Sequence, residues 1–353
     1  MKKIDLRRFD ANMKTAEVCA GGGVFWIDAD DSRCRLDGFA FRSAGEPFRR
    51  LPYSPALPEA VNALAGHTAG GMLTFRTDSR RIRLRARLEN HCRMDHMAAT
   101  GSGGFDLYAG PAGHRRFSGI VRFDPAAAEY EILLLEREQG GMEEFQLNFP
   151  LYSGIGSLAV GLDEGAVLET PAPWSNPAPV VIYGSSITQD GCASRPGNGY
   201  QAMIARKYDA DFINLGFSGS ARGEKVMAEY LASIPCSVFV CDYDHNAPSV
   251  EHLRNTHEPL YRTFRAAQPD TPVVFVSKPD FRPGTEDEAR RTIIRTTYET
   301  ALAEGDKNVY YIDGETLFAG EWRDSCTVDG CHPNDLGFSR MATVIGNVVG
   351  SLL

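Results

Sequence analysis

Val180-Val181-Ile182-Tyr183-Gly184-Ser185-Ser186-Ile187-Thr188-Gln189 is the stretch on which the reading of the chain turns. β-Branched and aromatic residues run unbroken to a glycine and small hydroxyl residues follow, the pattern of a buried strand ending in a turn. Open α/β sheets place their chemistry at the carboxyl ends of strands. There a side chain faces a crevice, and backbone N–H groups of the turn and the next helix can hold an anion. Ser186 is therefore the candidate nucleophile.

Downstream, strand and helix signals alternate. Strands are expected at Val180–Gly184, Asp211–Phe217, Ser237–Asp244, Pro272–Pro279 and Asn308–Ile312, with helical stretches after each. Ser249–Ala267 carries Val250, Leu253, His257, Leu260, Tyr261 and Phe264 at three-to-four spacing, so one helix face is buried. Five such units predict a parallel sheet with helices on both faces, closed by a last helix from about Asp335.

Upstream, the signals are those of strands. Arg81-Ile82-Arg83-Leu84-Arg85-Ala86-Arg87-Leu88 and Glu144-Phe145-Gln146-Leu147-Asn148-Phe149 alternate as half-buried antiparallel strands do. The arginine row reads as a solvated sheet face paired with acids. Turn clusters at Ala20–Gly23, Thr100–Gly104 and Gln139–Gly141 punctuate the strands, and one short helix is expected near Pro58–Ala65. The segment is read as an all-β sandwich of jelly-roll type. Four prolines between Thr170 and Pro179 interrupt both patterns, since proline is excluded from central strands and helix interiors. The expected domains are thus 1–170, a β-sandwich; 171–179, a linker; and 180–353, the α/β domain.

At 353 residues the chain is long for one core and fits about two domains. A net charge of −9 argues against binding nucleic acid or an anionic membrane surface, both of which need clustered positive charge. Met1–Arg8 is basic with no apolar run behind it, so no secretory signal is expected. The apolar tail Met341–Leu353 is too short to span a bilayer. Eight cysteines, none in a Cys-x-x-Cys pair, fit reduced thiols and a cytoplasmic location.

Reading the expected strand ends in turn places a second group of residues beside Ser186. After the second strand comes Gly216-Phe217-Ser218-Gly219-Ser220, and after the third Asp242-Tyr243-Asp244-His245-Asn246. Asp329-Gly330-Cys331-His332-Pro333 follows the fifth. Acyl transfer through serine needs this set: an imidazole to take the hydroxyl proton, a carboxylate to orient the imidazole, and donors for the oxyanion. His332 and Asp329 fit the first two roles, while the N–H groups of Ser186 and Gly219 and the Asn246 amide fit the third. Each residue alone has a plainer reading, Ser186 as a helix cap and Asn246 as a turn residue, and it is the shared rim that joins them. Asp242 and His245 repeat the Asp-x-x-His spacing. They are set aside because Asp242 should lie within a strand, which leaves His245, with Gln189, as candidate substrate-lining residues.

These residues resemble the four blocks of the SGNH, or GDSL-type, hydrolase superfamily: Ser186 in Gly184–Thr188, Gly219 in Asn214–Gly219, Asn246, and His332 in Asp329–Pro333. The resemblance implies Ser186 as nucleophile, His332 as base, Asp329 as its partner, Gly219 and Asn246 as oxyanion donors, and a three-layer flavodoxin-like fold. Ser185 stands where the name-giving Gly-Asp-Ser has Asp, and Asp244-His245-Asn246-Ala247 replaces the common Gly-x-Asn-Asp, which marks a divergent branch. Gly104-Phe105-Asp106-Leu107-Tyr108 is similar to the Gly-x-Asp-Leu-Tyr motif of β domains that precede such esterases. Within it, Asp106 and Tyr108 either reach the active site or clamp a buried turn.

The expected function is hydrolysis of short acyl esters, acetyl foremost, on a carbohydrate, through an acyl-enzyme. The substrate class rests on the resemblance. Rivals are a lipase, thioesterase or aryl esterase with the same machinery, and an inert carbohydrate-binding protein. Cys241, His245, His252, Cys326 and Cys331 show no usual metal-ligand spacing, so neither metal nor organic cofactor is expected. The expected partner is a small-molecule or oligosaccharide ester, with homo-oligomerisation left open.

Overall fold

The computed structural model describes residues 23–280 and 284–353. Met1–Arg8 and most of the Ala20–Gly23 turn cluster lie outside them. The strands are β1 Val24–Asp28, β2 Arg35–Asp37, β3 Met72–Thr77, β4 Arg81–Glu89, β5 Asp106–Ala109, β6 Arg116–Ile120, β7 Glu129–Glu136, β8 Glu143–Asn148, β9 Gly154–Asp163 and β10 Leu168–Glu169, then β11 Asn176–Gly184, β12 Ala210–Gly216, β13 Val238–Asp242, β14 Val273–Val276 and β15 Val309–Ile312. The helices are α1 Glu59–Leu64, α2 Ala99–Ser102, α3 Tyr200–Tyr208, α4 Lys225–Ala232, α5 Val250–Ala267, α6 Asp287–Ala303 and α7 Asp335–Gly350. Among the described residues no helix is long and apolar enough to cross a membrane.

The first ten strands form two antiparallel sheets, β1-β9-β4-β7 and β10-β3-β8-β5-β6, with β2 beside β3. In β4 Ile82, Leu84, Ala86 and Leu88 enter the core, while Arg81 pairs with Asp163 at 2.7 Å, Arg85 with Glu131 at 2.7 Å and Arg87 with Glu89 at 2.8 Å; Arg83 departs from the expected solvated row, being 3% exposed beside Asp163. Strand β8 departs from the expected half-burial. Phe145 and Leu147 fill the sandwich core, but Glu144, Gln146 and Asn148 on the opposite face are also covered. Asn148 there bonds Asp106, which in turn bonds Arg195 and Gly197 of the α/β half. A polar strand face can be buried in this way because most of its groups are paired, Gln146 Oε1 being the exception.

The remaining strands form one parallel sheet in the order β12-β11-β13-β14-β15. Both faces are covered, and side chains alternate between them. Val181 and Tyr183 join Leu215, Phe239 and Phe275 under α4, α5 and α6, whereas Val180 and Ile182 join Phe212, Val240 and Val274 under α3 and α7. An unbroken apolar run is what a strand buried on both faces requires. Ser249 caps α5, its Oγ accepting from His252 N at 3.1 Å, and Asn334 caps α7, its Oδ1 accepting from Leu336 N at 3.0 Å.

Two details differ from the sequence expectation. β11 begins at Asn176, inside the proline-rich stretch, and pairs there with Ala210 before a register irregularity ahead of Val180. The rest of that stretch is anchored as well: Ala172 N donates to Glu144 at 3.0 Å, Ser175 Oγ donates to Asp209 at 2.6 Å, and the Arg35 guanidinium stacks 4.3 Å from the Trp174 ring. Second, no helix follows Ser186 directly, because turns run from Ser186 to Cys192 and α3 starts only at Tyr200. The local N–H groups at Ser186 thus belong to turns and not to a helix N-terminus.

Candidate active site

β11, β12 and β13 end together, with Gly184 paired to Gly216 on one side and to Asp242 on the other. Ser186, Gly219 and Asn246 therefore leave one rim within a few residues of paired strand ends. His332 arrives there from the loop before α7. Its Nε2 lies 2.9 Å from Ser186 Oγ, and its Nδ1 lies 2.7 Å from Asp329 Oδ2. With the Nδ1 proton donated to the carboxylate, Nε2 is left as the acceptor that can draw the proton from the serine hydroxyl.

The loop builds the His–Asp half from its own backbone. Asp329 Oδ1 accepts from Cys331 N at 2.9 Å and His332 N at 2.7 Å, and Val328 N donates to His332 O at 2.9 Å, beside a bridge between Thr327 and Pro333. Partial burial would raise the Asp329 carboxyl, but hydrogen bonds from the His332 ring, His332 N and Cys331 N outweigh it and hold it down at about 2. Asp329 is therefore an anion at any working pH.

The turn of Ser186 is enclosed. Ser186 is 8% exposed, its carbonyl accepts from Gly191 N at 2.9 Å and Tyr152 OH at 3.4 Å, and Ser185 Oγ accepts from Ile187 N at 3.1 Å. Ser185, where other members carry Asp, is thus a turn-forming acceptor with no acidic role. Gly184 has no room for a side chain, since a Cβ there would sit 2.2 Å from Asp242 O. Gly219 is different: its φ of +67° needs glycine although a Cβ would meet nothing within 4 Å. The Asn246 amide bonds Ala221 N at 3.3 Å and so ties the third block to the second.

Gln189 does not sit as expected, whereas His245 is half-buried just past the end of β13. Gln189 is fully buried, its Nε2 donating to Leu151 O at 3.1 Å and facing His67 Nδ1 at 3.2 Å, and its Oε1 accepting from Ser218 N at 3.0 Å. It fastens the second block to the β-sandwich side, with no open face toward a substrate. The His245 ring is pushed down to about 3 by burial and then by the positive charge of Lys278, so it stays neutral; its Nε2 has no partner among the described residues. Asp242 is 3% exposed and bonds Thr188 Oγ1 at 3.2 Å, and burial followed by the nearby Asp244 charge pushes its carboxyl well up. The alternative Asp242–His245 pair is consequently no relay.

Asp106 and Tyr108 act as a buried clamp. Asp106 is 0% exposed and accepts from Arg195 Nη1 at 2.8 Å and Gly197 N at 2.9 Å, while Tyr108 OH bonds Gly197 O at 3.3 Å and the Arg195 guanidinium. The β-sandwich side nevertheless reaches the site through a residue that sequence reasoning missed. The exposed His96 ring stands edge-on to His332 with centroids 5.7 Å apart. Nothing in Met94-Asp95-His96-Met97 signals this, because the contact exists only once the two halves are docked.

Fold and rim together define a class, the SGNH-type α/β hydrolases preceded by a β domain. Residues 177–350 match the model of the GDSL-like lipase/acylhydrolase family, and residues 24–168 match the GxDLY model, the N-terminus of SGNH-hydrolase-type esterases. The chain belongs to the GDSL-like lipase/acylhydrolase family and is a carboxylic ester hydrolase. A protein assigned as a GDSL-like lipase from Bacteroides ovatus superposes at TM-score 0.84 with 28% identity, 94% of this chain matching 98% of that one. A salicylyl-acyltransferase from a tetracycline biosynthetic pathway follows at 0.73 and 20%, covering 93% and 97%. A family two carbohydrate esterase from Cellvibrio japonicus stands at 0.61 and 13%, covering 94% and 98%. The last two share the fold. No curated protein matches the chain.

Proposed function

We propose that this chain hydrolyses short acyl esters, acetyl foremost, carried on a carbohydrate, with Ser186 as nucleophile, His332 as general base and acid, and Asp329 as the carboxylate that orients it. The observation that carries this reading is the unbroken hydrogen-bond path from Ser186 Oγ through His332 to Asp329. Ser186 Oγ attacks the ester carbonyl as His332 Nε2 takes its proton. His332 then returns that proton to the leaving alcohol, and water repeats the cycle on the acyl-enzyme. Ser186 N, Gly219 N and the Asn246 amide are the proposed donors to the oxyanion. Loss of one such donor costs about 10²–10³ in kcat.

The sugar-ester part of the reading is supported by the carbohydrate esterases among proteins of the same two-part fold, one of them in complex with cellohexaose. We take the halves to meet across the stretch 171–179, and the seven described cysteines, all free thiols, favour a reducing, cytoplasmic compartment. The test is hydrolysis of 4-nitrophenyl acetate, butyrate and octanoate, and of acetylated xylo- and manno-oligosaccharides, by wild type and Ser186→Ala. Acetate-selective turnover that the substitution abolishes, with acetate released from the sugars, is the expected result. Preference for octanoate would move the substrate to lipids, and turnover surviving Ser186→Ala would remove the nucleophile assignment.

A further inference from the structure

His96, Cys192 and His332 come from three separate segments, and each offers a ligand atom, all within 4.8 Å of one another. Two imidazoles and one thiolate are a donor set suited to zinc and other borderline or soft dications. Around a tetrahedral zinc such atoms stand about 3.5 Å apart, so the set needs to close by roughly 1 Å. His96 can supply that movement, since its ring is exposed on the loop between β4 and α2.

Two further features point the same way. Each imidazole has a carboxylate at its Nδ1, with Asp329 2.7 Å from His332 and Asp95 3.4 Å from His96. Metal-binding histidines characteristically carry such a partner, which fixes the tautomer and leaves Nε2 free to ligate. Cys192, buried and not a glycine, holds a left-handed φ of +76°, a conformation concentrated at functional sites. Asp329 also serves the hydrolytic relay, whereas the Asp95 partner of His96 and the Cys192 conformation are not needed by it.

We propose that His96, Cys192 and His332 form a site for a zinc-like dication whose occupancy switches the ester hydrolase off. The cation takes the lone pair of His332 Nε2 that would otherwise accept the Ser186 proton, and the Cys192 thiol gives its proton to solvent as its sulfur joins the metal. The inhibitory consequence rests on His332 being the base; the binding does not. The device also explains why a residue of the β-sandwich half stands beside the proposed base.

The experiment uses the full chain, freed of metal, with His96→Ala and Cys192→Ser alongside. Zinc affinity is measured by competition with a chromophoric chelator, cobalt substitution reports the thiolate by its charge-transfer absorption, and 4-nitrophenyl acetate hydrolysis is followed in parallel. Even outer-shell substitutions at metal sites cost about 10–100-fold in affinity, so each variant should bind zinc at least about tenfold more weakly. Each should also keep its basal turnover and lose sensitivity to zinc by the same factor. Equal zinc affinity in all three proteins, or a cobalt complex without a thiolate band, overturns the site. If every protein is inactive on esters yet zinc binding still depends on His96 and Cys192, the site stands and the esterase reading falls.

Discussion

Ser186 and His332 face each other across 2.9 Å, yet the chain holds them by opposite means. The serine turn is locked from distant parts of the sequence. Tyr152 bonds its carbonyl, Asn214 bonds Thr188 O at 2.9 Å, and Gln189 runs from Ser218 to Leu151. Behind it Arg50, 0% exposed, donates to Gly216 O at 2.6 Å and to His67 O at 2.9 Å. The histidine loop is held largely within itself, and Asp329 is 35% exposed on its side chain. Its link outward runs through the start of α7, where Asp335 accepts from Ser194 N at 2.9 Å and Asn198 at 2.8 Å. The proposed nucleophile, fixed by tertiary bonds, is thus paired with a proposed base fixed by local ones. Damage to the first should appear in stability and damage to the second in turnover.

The largest effect expected on this comparison is that of His332→Ala, which removes the only base in the proposed relay. Loss of a triad histidine costs up to about 10⁶ in kcat, so turnover should fall by at least about 10⁴ with thermal stability nearly unchanged, as kinetics and a melting curve would show. A loss below about tenfold would mean that another group takes the proton. Next comes Asp106→Ala, in the buried clamp and outside the proposed relay. It strands Arg195 and Gly197 N, and breaking a buried pair costs about 3–5 kcal/mol. The melting temperature should drop sharply, while kcat/KM of the remaining folded protein stays close to wild type. The reverse pattern would show that the clamp also shapes the site.

A third prediction concerns the third block, which stands between the two. Asp244 is 2% exposed, and burial raises its carboxyl to about 6 against the opposing pull of Lys278 N–H and the charges of Arg290 and Lys278; Asp287, also near, adds to the rise. Because the folded value lies above the unfolded one, the fold favours the neutral acid, and stability falls as pH rises from about 4 through about 6. Asp244→Asn keeps an acceptor for Lys278 N and removes the titration. It should match wild type near pH 4 and exceed it near pH 8 by about 2–3 kcal/mol. Urea midpoints at both pH values measure this, and a difference independent of pH would overturn it.

The alternation of strand and helix after Val180, the apolar stripe of Ser249–Ala267 and the order of Ser186, Gly219, Asn246 and His332 were legible because each is a local pattern or a position at a strand end. The covered polar face of β8, the inward turn of Gln189 and the arrival of His96 beside His332 were not. Each depends on how the β-sandwich side meets the α/β side, and no periodicity records which face of a strand another layer will cover. Asp106 lay between these cases. Its motif was visible, and only the bonds to Arg195 and Gly197 decided between a site residue and a clamp.

The smallest predicted effect is the sharpest test of the comparison. Asp329→Ala removes the acceptor at His332 Nδ1 and the grip of Oδ1 on Cys331 N and His332 N, so the ring loses its orientation and the support for its charged form. A hydrogen bond to a charged group is worth about 1.5–3 kcal/mol, which corresponds to roughly 10–100-fold in rate. Where the triad aspartate is buried the loss approaches about 10⁴, because the imidazole is left in the wrong tautomer. Here the carboxylate is open to solvent, so water can take over part of its role and the smaller range applies. The loss should fall on kcat with KM nearly unchanged, and the melting temperature should move little, since the bonds removed lie within one surface loop. A loss near 10⁴ would show the pair to be as tightly enclosed in the working enzyme as the serine turn is, and the contrast between the two sides would then fail.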